Sequence, residues 1–244
     1  MLVSQIRVVK DPDHLALVAA DLVTNVLGAA PAASVAVATG RTPMGLYAEL
    51  AARHRAGVLD TSTMTAVQLD EYLGLAAGDR RSLLGWMRTS FVEPLGVADD
   101  RVIRLPVAGD VEAACAAYDR AMETRGPLDL AILGIGPNGH LGFNEPPSDA
   151  ASPTRVVQLS ATTREANRRY WDGEPVPPRA VTLGMRHLLA ARKIVLVVSG
   201  ASKGSIVHRA LEGDVGPDVP ASYLQQASGE VCVVVDRAAW GSAS

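Results

Sequence analysis

Apolar positions along this chain switch between a helical period and short continuous runs. Leu15, Val18, Ala19, Leu22 and Val26 fall on one helical face after Asp11-Pro12, an acidic cap followed by a first-turn proline, and Gly28 marks the expected end. Ser34 to Ala38 is a short apolar run that predicts a strand. Thr39-Gly40-Arg41-Thr42-Pro43 follows it as a glycine turn, with Thr42 expected as N-cap and Pro43 as first residue of the next helix. The rhythm repeats. Strands are predicted over Thr63 to Leu69, Val102 to Leu105, Leu128 to Leu133, Val156 to Leu159, Ala180 to Leu183, Lys193 to Val198 and Val231 to Val235. Helices are predicted over Ser82 to Phe91, Val111 to Met122, Thr163 to Tyr170, Met185 to Ala190 and Lys203 to Glu212.

Short apolar strands alternating with helices imply a sheet covered on both faces. The expected fold is therefore α/β: a doubly wound, mostly parallel sheet, Rossmann-like, forming a single domain over residues 1–244. No repeat, low-complexity tract or long linker divides the chain. Hydrophobic residues make up 48% of it, enough for one sizeable core. The balance of 23 Lys+Arg against 26 Asp+Glu leaves no basic excess for nucleic-acid phosphates, so no nucleic-acid partner is expected. Cys115 and Cys232 each sit inside an apolar stretch and read as buried free thiols. Met1 to Lys10 lacks an apolar signal core, and no apolar run reaches the roughly 18 residues of a spanning helix; a cytoplasmic protein without membrane contact is the expectation.

In open α/β sheets ligands bind beyond the carboxyl ends of the strands, and the unusual residues of this chain cluster in those loops. Gly134 to Pro146 reads Gly-Ile-Gly-Pro-Asn-Gly-His-Leu-Gly-Phe-Asn-Glu-Pro. Its glycines let the backbone approach a ligand, and His140 and Glu145 stand in the same loop. By spacing alone this is either a catalytic loop or a glycine-rich turn with an incidental histidine. It does not fit the Gly-x-Gly-x-x-Gly dinucleotide fingerprint. Asp70 and Glu71 are adjacent acids directly after a strand, so only one of them can face a given pocket. Gly40, Arg41 and Thr42 form a candidate phosphate cradle ahead of a helix. Lys203 follows Ser199-Gly200-Ala201-Ser202 in a second strand-to-helix turn, and Arg169 stands beside Arg168 with nothing in the pattern to say which faces inward. Cationic turns at one sheet edge favour an anionic small ligand. His14, His54, His187 and His208 have no metal-binding spacing, and no metal is expected.

Ala38-Thr39-Gly40-Arg41-Thr42-Pro43, Leu69-Asp70-Glu71-Tyr72-Leu73-Gly74-Leu75, Gly139-His140-Leu141-Gly142-Phe143-Asn144-Glu145-Pro146 and Ser202-Lys203, in this order, resemble the glucosamine-6-phosphate deaminase family, from about Leu2 to Val235. The related 6-phosphogluconolactonases share the fold and a Gly-His element, but typically continue with a Ser-Leu-Phe-Pro type sequence absent here. The resemblance implies an isomerase and deaminase of hydrolase class, acting on a sugar phosphate without cofactor, as a monomer or small homo-oligomer. It implies Asp70 as the base moving a proton between C2 and C1, His140 as the ring-opening group, and Glu145 as its orienting carboxylate. Gly40, Arg41, Thr42, Glu71, Gly139, Arg169 and Lys203 would hold substrate and phosphate.

The sequence departs from that pattern at several positions. Asn138, expected as a member of the catalytic set, stands where the hexameric members carry an Asp near the histidine; it can hydrogen-bond but cannot stabilise an imidazolium by charge. Arg41 replaces a Gly beside Gly40. Ser148 and Arg155 match part of the family's activator site, but Val157 replaces its basic residue and the chain ends soon after Val235, so allosteric activation is not expected. Four readings remain open on sequence: a glucosamine-6-phosphate deaminase, a galactosamine-6-phosphate deaminase, a 6-phosphogluconolactonase-like hydrolase, and a non-catalytic sugar-phosphate sensor. The sensor reading lacks a DNA-binding segment before Leu2. A lid is expected over Asn144 to Thr154, where prolines and small residues concentrate.

Overall fold

The computed structural model describes residues 5–76 and 78–241. In chain order the elements are β1 (Gln5–Val9), α1 (Pro12–Ala29), β2 (Ser34–Val37), α2 (Met44–Arg55), β3 (Thr65–Gln68), β4 (Asp70–Tyr72), α3 (Leu83–Met87), β5 (Val102–Ile103) and α4 (Val111–Arg125). They continue with β6 (Leu130–Leu133), β7 (Arg155–Gln158), α5 (Ala161–Asn167), β8 (Arg179–Thr182), α6 (Met185–Leu189), β9 (Lys193–Val198), α7 (Gly204–Glu212), β10 (Glu230–Asp236) and α8 (Arg237–Trp240). A π-helical turn, Arg88–Val92, extends α3, and 3₁₀ turns at Arg168–Tyr170 and Ala201–Lys203 adjoin α5 and α7.

Seven strands form one parallel sheet in the order β1-β10-β9-β6-β2-β3-β5. Its strands are apolar on both faces because both are covered. In β10, Val231, Val233 and Val235 belong to the cluster with α6, α7 and α8, while Cys232 and Val234 belong to the cluster with α1 and α2. From β2 the chain winds outward through β3 to β5, then returns to place β6 on the other side of β2 and winds the opposite way through β9 to β10. The switch point therefore lies between β2 and β6, and the crevice opens there.

The expected parallel sheet is correct, but two strands assigned to it belong elsewhere. β8 pairs antiparallel with β7 on one side and with the unanticipated β4 on the other, in a separate sheet of order β4-β8-β7. Alternation cannot say which sheet a four-residue strand joins; that depends on the crossover it leaves. β1, unrecognised in the sequence, is an edge strand whose Ile6 and Val8 remain exposed, which blurs its pattern. Other boundaries shifted. The first helix runs through Gly28 to Ala29, with Asp11 capping it through the His14 amide at 2.9 Å. Thr42 is not the cap of α2: the helix starts at Met44, with Pro43 ahead of it and no side-chain cap. Cys115 and Cys232 are buried free thiols, as expected. No helix of the described residues is long and apolar enough to cross a membrane.

Candidate active site

At the switch point lies a cleft of about 320 Å³, lined by the turn after β2, the start of β4, the loop after β6, the end of α5 and the turn after β9. Asp70 enters it because β3 ends at Gln68 and the chain passes straight into β4, turning the Asp70 side chain into the cleft and Glu71 to the opposite side. Asp70 is buried, and its Oδ1 has no hydrogen-bond partner. Burial, with the charge of Glu71 adding to it, pushes its carboxyl up to about 7. A buried carboxyl with a free oxygen and a pKa near neutrality is equipped to accept a proton.

Glu71 is positioned for a structural task rather than for contact with a ligand. It accepts hydrogen bonds from the amides of Tyr72, Leu83 and Leu84, each at 2.9 Å, from Ser82 Oγ at 2.7 Å and from Gln68 Nε2 at 3.2 Å. These bonds tie β4 to the start of α3. The sequence argument that one of the two acids faces the pocket and the other supports it holds; the substrate contact expected of Glu71 does not match this geometry.

His140 also lines the cleft. Its ring lies against Gly136, where an added Cβ would fall 2.1 Å from Nε2, so only glycine leaves room for the imidazole. Burial holds its pKa well below the ordinary value, the Glu145 carboxylate opposing and the Lys203 ammonium reinforcing that effect. The imidazole is therefore neutral near pH 7. Glu145 stands behind the ring: its oxygens accept the Ser160 amide at 3.2 Å each and Asn138 Nδ2 at 3.3 Å. Asn138 also accepts the His140 backbone amide at 3.4 Å, so it braces the loop and has no bond to the ring. Gly139 does not line the cleft either. Its φ of +83° and the 2.7 Å separation its Cβ would have from Val219 Cγ1 make it a packing glycine, with its carbonyl accepting the Ala221 amide at 2.8 Å.

The far end of the cleft is cationic. Arg41, Arg169 and Lys203 all line it, beside Gly40 with φ +107° and Thr42. Arg169 is the inward member of its pair, since Arg168 instead joins Glu165 on the surface at 3.2 Å. The Arg41 and Arg169 guanidiniums stack on Tyr170 at 5.6 and 4.9 Å, and Trp86 meets the same ring edge-on at 5.2 Å. Lys203 Nζ donates to the Ile135 carbonyl at 2.7 Å; burial, then the charge of Arg169, lowers its pKa to about 8. The turn carrying it is fixed by Asp236, buried at the end of β10, which accepts from Ser199 Oγ, from the Gly200 amide and from the Ala239 amide that opens α8.

Sequence reasoning missed this aromatic wall, Asp236 and Asn167, whose Nδ2 donates to Tyr72 Oη at 3.0 Å at the cleft's edge. An acid closing an apolar strand just before a helix was the available signal for Asp236; the wall had none. The expected lid over 144–154 does not border the cleft. Asn144 and Ser148 there bind Arg155 at 2.8 Å each, and Ala166, Asn167, Arg169 and Tyr170 line the cleft instead. Among the described residues no cluster of His, Cys, Asp and Glu could hold a metal ion.

Fold and cleft together define an α/β protein with a cationic cleft and a buried carboxyl with an unpartnered oxygen at the switch point of its sheet. The chain belongs to the glucosamine-6-phosphate isomerase/6-phosphogluconolactonase family, whose model matches residues 10–233. A glucosamine-6-phosphate deaminase of Cutibacterium acnes is 41% identical over 238 residues, covering 96% of this chain and 90% of that protein. Glucosamine-6-phosphate deaminase 1 of Bacillus subtilis is 38% identical over 229 residues, covering 93% of this chain and 94% of that one. A solved structure described as a monomeric glucosamine-6-phosphate deaminase has a TM-score of 0.92 at 36% identity, over 98% of this chain and 99% of the other. The 6-phosphogluconolactonase of Trypanosoma brucei, with a TM-score of 0.79 at 21% identity over 100% of both chains, shares the fold.

Proposed function

We propose that this chain converts glucosamine 6-phosphate and water to fructose 6-phosphate and ammonia, within a single domain. The observation that carries the reading is the pairing of Asp70, buried with a free oxygen and a pKa near 7, with a cationic cradle across the same cleft. Its relatives' names support the same activity. Arg169, Lys203, Arg41 and the turn at Gly40 and Thr42 hold the phosphate, and neutral His140 moves a proton from the anomeric hydroxyl to the ring oxygen to open the pyranose. Asp70 then removes the C2 proton of the open amino aldehyde and delivers it to C1. The resulting C2 iminium takes up water and releases ammonia, leaving the ketone. Isomerisation is thus the enzyme-driven part, and the water enters only as the amine departs. The protein acts in the cytoplasm as a monomer or small homo-oligomer, and the neighbour described as monomeric, matched over 98% of this chain and 99% of its own, supports the monomer.

The test is release of ammonia and fructose 6-phosphate from glucosamine 6-phosphate by the purified protein, with galactosamine 6-phosphate and the Asp70→Asn variant alongside. Turnover of the first sugar that vanishes in the variant is the expected result. Preference for the galacto epimer would change the substrate, and no ammonia from either sugar would sink the deaminase reading.

A further inference from the structure

Among the described residues no carboxylate is bonded to the ring of the histidine in this cleft. The two oxygens of Glu145 are taken by the Ser160 amide and the Asn138 side chain, and Asn138 itself reaches only the His140 backbone. The side chain that does meet the imidazole is Thr163, whose Oγ1 lies 3.4 Å from His140 Nδ1. Thr163 is 1% exposed, so its hydroxyl lies out of bulk solvent. Its place is fixed by the helix: Ser160 caps α5 by accepting the Thr163 amide at 3.1 Å, and Glu145 holds the Ser160 amide in turn.

We propose that Thr163 is the positioning residue for His140: its hydroxyl pins the imidazole through Nδ1 and leaves Nε2 as the nitrogen available to substrate. The inference deepens the deaminase reading and rests on His140 as the ring-opening group. Two tasks that one carboxylate could perform are divided here. Glu145 supplies charge behind the ring and anchors the start of α5; Thr163, carried on that helix, supplies the directional bond. A hydroxyl that accepts from Nδ1–H leaves Nε2 unprotonated to take the anomeric proton, without making the imidazole a permanent cation, which suits a group that must both take and return a proton. The same segment ends in Arg169 and Tyr170 at the cationic end of the cleft, so a ligand phosphate held there steadies the element that carries Thr163. The 3.4 Å separation is long for a hydrogen bond, and catalytic contacts of this kind tighten when substrate closes the site.

The experiment combines two-bond ¹H–¹⁵N spectra of histidine-labelled full-length protein with steady-state kinetics on glucosamine 6-phosphate, for the wild type, Thr163→Val, Thr163→Ala and Thr163→Ser; a His140→Gln sample assigns the ring signals. The wild type is expected to hold His140 in one tautomer near neutral pH. The variants without a hydroxyl are expected to mix tautomers and lose about three- to tenfold in kcat with KM little changed, while Thr163→Ser restores both readouts. Mixed tautomers in the wild type, an unchanged spectrum in whichever hydroxyl-free variant folds, or a serine variant as impaired as valine overturns the proposal. The spectra need no substrate. A protein inactive on amino-sugar phosphates therefore removes the functional reading and leaves the tautomer result to decide this one.

Discussion

Asp70 combines two properties that work against each other. Its free, buried carboxyl makes a good base, and the same burial makes its charge expensive in the folded state. Because its folded pKa is raised from 3.8 to about 7, the native state binds the more protons between those values, and stability falls as pH rises through that window. Asp70→Asn is accordingly expected to lower kcat by about 10²- to 10⁴-fold. The same variant is expected to raise stability above pH 7 by up to about 4 kcal/mol, at about 1.4 kcal/mol per pH unit, with little change near pH 4. Denaturant unfolding at the two pH values measures this, and a variant less stable than wild type at pH 8 would contradict the burial argument. Lys203 sets the other limb. With its pKa lowered to about 8 it loses charge just above the pH at which Asp70 becomes ionised. The profile of kcat/KM is expected to rise through about pH 7 and fall through about pH 8, and Lys203→Gln is expected to raise KM and abolish the alkaline limb. A flat profile from pH 8 to 9 in the wild type would exclude Lys203 as a titrating phosphate ligand.

At the scale of elements, the site depends on two short segments whose ends are fastened by buried carboxylates. Glu71 joins β4 to α3 by accepting from the backbone amides of Tyr72, Leu83 and Leu84. Glu71→Gln offers one acceptor oxygen where the carboxylate offers two, and is expected to destabilise the fold by about 1–3 kcal/mol with KM nearly unchanged. It also removes the charge that helps raise Asp70, so the acidic limb of kcat/KM is expected to move to lower pH. A large rise in KM without loss of stability would instead restore Glu71 as a substrate contact. Asp236 plays the parallel part beneath the Lys203 turn, where it caps α8 and holds Gly200.

Across the whole molecule, the parallel sheet supplies the switch point and the small antiparallel sheet supplies Asp70's wall, so their relative placement matters. One junction between them is Asp119 on α4. It is buried and accepts from the Thr154 amide just before β7, from Arg186 at 2.6 Å and from His187 at 2.8 Å, both on α6. Removing one member of such a network strands the others, so Asp119→Ala is expected to lose about 3–5 kcal/mol of stability while the folded fraction keeps its KM; chemical denaturation beside initial-rate assays measures both. Much of the architecture was legible in the chain, because short continuous apolar runs and helical spacings record which faces are buried. The candidate site loop was legible because glycines, an imidazole and a carboxylate crowded one strand end. What sequence could not decide were matters of direction and partnership: which of Asp70 and Glu71 turns inward, which of Arg168 and Arg169 reaches the cleft, that β7 and β8 leave the main sheet, and that Thr163 rather than Glu145 meets the His140 ring. Local patterns report how a side chain relates to its own element. Contacts between residues tens of positions apart exist only after β4, the loop after β6 and α5 are packed together, and that packing is the work of the tertiary structure.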